Sequence, residues 1–80
     1  MAFDYSKLRG RIVEKFDTQG AFAKAIGLSQ RSLSLKLQGK LFFRQDEIAR
    51  AINLLCINLE DVDKYFFAQK ENTNERSYQD

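Results

Sequence analysis

Residues 19–39, QGAFAKAIGLSQRSLSLKLQG, limit most severely what this chain can become. Phe22, Ala23 and Ile26 recur at helical spacing and predict a helix over residues 19–26. Gly27 stands where a helix C-terminus needs a left-handed residue, a conformation glycine adopts without a Cβ clash. Leu28 is the apolar residue of the turn, and the Ser29 hydroxyl is placed to cap a second helix. Leu33 and Leu37 share one face of that helix, which ends near Gly39. Two helices crossing steeply over so short a turn need a small residue at their contact, and Ala23 supplies it. The pattern is a helix-turn-helix, whose second helix is shaped to enter a DNA major groove.

The flanking sequence supplies the rest of a small helical bundle. A first helix starts at Asp4 or Ser6 and runs to about Phe16, with Tyr5, Leu8, Ile12 and Phe16 as its core stripe. Lys7, Arg11 and Lys15 line another face, as a solvated row or as phosphate contacts. Gly10 in the middle of this helix costs about 1 kcal/mol relative to alanine, which suggests close approach of a neighbouring backbone. Thr18 is a natural N-cap for the next helix. After Gly39, the connection KLFFR is expected to plug the core with Leu41 and Phe43 and to leave Phe42 partly exposed. A fourth helix is predicted over residues 45–55, with Ile48, Ile52 and Leu55 inward, and Cys56 as a small buried group after it. Asn58 caps a last helix over residues 59–67, with Leu59, Val62 and Phe66 inward. Tyr65 and Phe67 do not fit that stripe. They either close the bundle or form an aromatic surface for self-association or a partner.

Eighty residues make one small domain, and a chain of this size buries only about 60% of its unfolded surface. Without proline and with four glycines there is little material for a many-turned β fold. The expected architecture is an all-α bundle of five helices over residues 1–67. Residues 68–80 are a polar segment with no apolar periodicity, expected to be disordered. No apolar run approaches the roughly 18 to 20 residues that span a bilayer, so a cytoplasmic protein is expected. One cysteine and no histidine argue against a zinc site and against nucleophilic triads. The pairs Asp46–Glu47 and Glu60–Asp61 fall in first helical turns, where they suit the helix dipole. Neither an enzyme nor a cofactor is expected.

Charge is distributed unevenly. Residues 1–44 carry nine Lys or Arg against three acids, and residues 45–80 carry four against eight. A basic half containing a helix-turn-helix is the electrostatic footprint of a phosphate-binding face.

Gln19, Ala23, Gly27, Ser29, Gln30 and Leu33 fall at spacings that resemble the lambda-repressor-like helix-turn-helix superfamily. DYSKLRGRIVEKF before them, and KLFFRQDEIARAINLL and KYFF after them, are similar to short Cro- or C-type prophage regulators of Gram-positive bacteria. The resemblance implies a sequence-specific transcriptional regulator, acting as a homodimer on a near-palindromic operator in double-stranded DNA. It also implies that Gln19 donates to a phosphate, and that Lys40 and Arg44 touch the sugar-phosphate backbone.

On the recognition helix, expected over residues 29–38, stepping 100° per residue from Leu33 puts Arg31, Leu35 and Gln38 on the opposite face, with Ser32 and Ser34 beside them. Gln30 lies in the first turn, which recognition helices aim at base edges. Glutamine pairs with adenine and arginine with guanine in bidentate fashion, and the serines reach base or phosphate. Lys36 lies nearer the buried side and is expected to snorkel to solvent or phosphate. Leu35 departs from a polar reading surface. It packs on a thymine methyl, docks another protein or packs against Phe42. The second option opens an alternative function, an antirepressor or modulator that binds a phage repressor protein through the same fold.

Overall fold

The computed structural model describes residues 3–69, and within them the protein is all-helical. Five helices, α1 (Ser6–Phe16), α2 (Gln19–Ile26), α3 (Gln30–Leu37), α4 (Gln45–Leu54) and α5 (Val62–Phe66), enclose one core. A single 3-10 turn, Leu59–Asp61, leads into α5. The predicted stripes converge as expected. Tyr5, Leu8, Ile12, Phe22, Ala23, Ile26, Leu33, Leu37, Ala51, Leu55, Ile57 and Phe66 are all buried together. Phe16, Ile48 and Ile52 pack against them half-buried.

The two ends of the described chain meet. Phe3 forms an isolated antiparallel bridge with Gln69, and the Asp4 N–H donates to the Ala68 carbonyl at 2.6 Å. The polar segment expected to be disordered lies, from residue 70, outside the described residues.

Local chemistry sets the helix boundaries. Thr18 caps α2 by accepting the Ala21 N–H at 3.1 Å. Gly27 takes φ 84°, and both its own N–H and that of Leu28 fold back onto the Ala23 carbonyl. Ser29 caps α3 by accepting the Ser32 N–H at 3.0 Å. Gly39, at φ 82°, closes α3 in the same left-handed way.

Several expectations are corrected. A Cβ added at Gly10 would meet nothing within 4 Å, so no neighbour's backbone approaches there. Cys56 is exposed, because it occupies the left-handed position that ends α4 (φ 54°) and its side chain turns away from the core. Leu59 is 79% exposed and Leu41 45% exposed, so neither is a core residue. The 3-10 start of the last helix turns Leu59 outward, and Asn58 makes no side-chain cap there. In the loop before α4, Phe43 alone turns inward.

Candidate functional site

The helix-turn-helix geometry is present. Ala23 is buried where α2 and α3 meet, and capped ends leave the start of α3 open to solvent. Of the residues expected to touch DNA, Ser29, Gln30, Arg31, Gln38, Lys40 and Arg44 are exposed, while Gln19, Ser32, Ser34 and Leu35 are half-buried. Gln30 lies over the N-terminal end of α2. Its side-chain oxygen would stand 3.3 Å from a Cβ placed on Gly20.

Several of these side chains are already engaged. The Ser29 hydroxyl is occupied by its cap, and Gln38 Nε2 donates to Ser34 Oγ at 2.9 Å. Arg44 pairs with Asp46 at 3.4 Å. The Arg31 and Lys40 side chains make no ion pair or hydrogen bond among the described residues.

Lys36 is the main correction on α3. It neither snorkels nor reaches outward, but is buried, with Nζ 2.6 Å from Glu47 Oε1 on α4. It also donates to the Phe42 carbonyl at 3.1 Å. The same Glu47 oxygen accepts the Arg44 N–H at 2.9 Å. Burial opposes ionisation of Glu47, but the Arg44 N–H and the Lys36 ammonium more than offset it and hold its carboxyl below the usual range. The acid read as a dipole-favouring first-turn residue is therefore half of a buried ion pair. That pair ties the loop between α3 and α4 to both helices.

The basic half is also less available than its count suggests. Arg9 donates to the Leu37 carbonyl at 3.1 Å, at the end of α3. Arg11 donates to the Leu55 and Cys56 carbonyls at 2.9 and 3.1 Å, at the end of α4. From the acidic half, Arg50 serves the end of α2 through the Ile26 carbonyl at 3.2 Å. Three arginines thus satisfy the C-terminal carbonyls of three helices, where a cation also suits the helix dipole. Lys7 sits over the Tyr65 ring, 5.3 Å from its centroid. Sequence periodicity does not register these roles, since each depends on which helix end packs beside the side chain.

The chain carries a second exposed feature. Phe42 is 83% exposed and Phe67 48% exposed, beside a cleft lined by Phe3, Tyr5, Phe43 and Phe66. The unmatched aromatics at the end of the last helix were the sequence signal for it.

Among curated proteins, none matches this chain. The solution structure of the modulator of repression (MOR) of the temperate bacteriophage TP901-1 from Lactococcus lactis is similar to it. Identity is 49%, over 90% of this chain and 97% of that one, with a TM-score of 0.74. The family described as "Protein of unknown function (DUF739)" matches residues 1–69, nearly the whole chain, and this protein belongs to that family.

Proposed function

We propose that this protein regulates the genetic switch of a temperate phage by binding a repressor protein, acting as a modulator of repression in the bacterial cytoplasm. The observation that carries this reading is the 49% identity, over almost the full length of both chains, to a phage modulator of repression. Surface chemistry supports it. Five of the nine cations of the basic half are engaged, Lys7 on a ring face, Arg9 and Arg11 on helix ends and Lys36 and Arg44 in ion pairs, which leaves Lys15, Lys24, Arg31 and Lys40 for a phosphate backbone. DNA binding draws most of its affinity from such cations. Leu35 is half-buried on the face that would read bases, and Phe42, seven residues on, is 83% exposed.

The scaffold for this activity is, on this reading, a helix-turn-helix of the lambda-repressor-like type. That scaffold also carries a second reading, direct and specific operator binding as a homodimer, which the free Arg31 and Lys40 favour. Half-sites would then lie about 34 Å apart, or at a multiple of that distance. Gel shifts of operator-region DNA separate the two readings, with this protein alone, with the repressor of phage TP901-1 alone, and with both. The first reading expects no specific shift from this protein alone and an altered repressor shift when both are present. A specific shift by this protein alone, with the repressor's shift unchanged, favours the second.

A further inference from the structure

The exposed ring of Phe42 is presented by a rigid loop. Its carbonyl oxygen is held by Lys36 Nζ, which Glu47 anchors in the core, and two residues on, the Arg44 N–H is fixed to the same carboxylate. Between them Phe43 turns inward against Tyr5 and Phe66, with ring centroids 5.5 and 5.4 Å away in edge-to-face contact. With the backbone pinned on both sides and the next side chain committed to the core, the Phe42 ring stays outside. Burying a lysine is costly, and here that cost fixes the position of a solvent-facing aromatic.

Next to this ring, Phe67, Phe3, Tyr5, Phe43 and Phe66 run on as a ladder of edge-to-face contacts that floors a shallow cleft of about 50 Å³. An aromatic whose backbone is already held in place beside an apolar cleft costs little main-chain ordering when a partner covers it. This is the usual chemistry of an interface hot spot.

Charge selects among possible occupants. Lys40, on the same loop, is exposed and makes no ion pair among the described residues. In a two-fold contact with its axis at Phe42, the Lys40 side chains of the two copies, each two residues from the ring, would approach one another as both lose water. A partner that supplies a carboxylate there meets no such penalty.

We infer that the Phe42 edge is the surface that seats the repressor, inserting Phe42 into an apolar pocket of that partner beside a carboxylate that pairs with Lys40. The inference rests on the function proposed above and gives that function a surface. Arg31 opens α3 and Phe42 lies beyond its far end, so this surface is separated from the base-reading turn by the helix, about 12 Å long at 1.5 Å per residue.

Isothermal titration of the TP901-1 repressor with the wild-type chain, Phe42→Ser, Lys40→Glu and Arg31→Ala tests it, alongside light scattering and operator gel shifts of each variant. Phe42→Ser should weaken repressor binding at least tenfold with an unchanged melting temperature. Lys40→Glu should weaken it several-fold, and Arg31→Ala should stay within twofold of wild type. If wild type binds and Phe42→Ser binds equally well, this surface is wrong and the proposed function stands. If wild type does not bind the repressor, the proposed function falls and the surface with it. A Phe42→Ser variant that only dissociates a dimer, or only loses DNA affinity, overturns the inference in favour of a second copy or of DNA.

Discussion

Lys36 on α3 and Glu47 on α4 form a buried ion pair at 2.6 Å, and the same two side chains hold the Phe42 carbonyl and the Arg44 N–H. Among the described residues no buried side-chain nitrogen or oxygen is left without a hydrogen-bond partner, which is the condition under which buried charge is tolerated. Removing one partner strands the other. Lys36→Met or Glu47→Leu alone should cost about 3–5 kcal/mol of stability, and the double variant should recover most of that loss. Urea unfolding of the four proteins checks this, with recovery in the double variant as the diagnostic result.

The same pair gives stability a pH dependence of definite sign. The Glu47 carboxyl ionises more readily in the folded protein than in the unfolded chain. Its contribution is therefore fully present above the unfolded value, about 4.3, and is lost as pH falls through the lower folded value. Urea midpoints should drop on acidification below about pH 4, less steeply in the Lys36→Met/Glu47→Leu variant. Equal acid slopes in the two proteins would remove Glu47 from the account.

Two glycines should respond in opposite directions to alanine. Gly27 holds φ 84°, where a Cβ clashes with the backbone, so Gly27→Ala should destabilise by about 1–2 kcal/mol. Gly10 is helical with open space beside it, so Gly10→Ala should stabilise by about 0.5–1 kcal/mol. In a domain of this size each kcal/mol moves the melting temperature by roughly 4–8 °C, which calorimetry resolves easily.

Cys56 occupies a left-handed helix terminus that glycine fills without strain. Because its side chain is exposed, Cys56→Gly removes no core contact. It should raise the unfolding free energy by roughly 1 kcal/mol, measured in denaturant. A loss of stability would mean that the thiol packs against the fold.

Among the free cations, Arg31 and Lys40 differ if DNA is bound at all. Arg31→Ala should then weaken binding at one base position. Lys40→Ala should weaken all sequences alike and reduce the salt slope by about 1. Salt-dependent titrations on cognate and random duplexes distinguish them.

What the sequence made legible was the chemistry that is local along the chain. Thr18, Gly27 and Ser29 were readable because a cap or a left-handed turn is decided within a few residues, and Leu8, Ile12, Leu33 and Leu37 because periodicity alone selects a buried face. Lys36 was not, since its partner arrives from α4, 11 residues later. Nor were Arg9, Arg11 and Arg50 as helix C-terminal donors, because each needs the end of another helix beside it. Leu59 and Cys56 were misplaced by extending helical periodicity across a 3-10 turn and a left-handed residue that break it. At the candidate site, the helix-turn-helix scaffold was readable. The engagement of Lys7, Arg9, Arg11, Lys36 and Arg44 was not, because counting charges does not show which ones the fold pairs.

The most direct test of the account is whether this protein and a phage repressor form a complex without DNA. Size-exclusion chromatography with light scattering, on the wild-type chain mixed with the TP901-1 repressor, measures it. The account predicts a stable hetero-complex, and no specific operator binding by this protein alone. Two separately eluting species, together with specific operator binding by this protein alone, would contradict it.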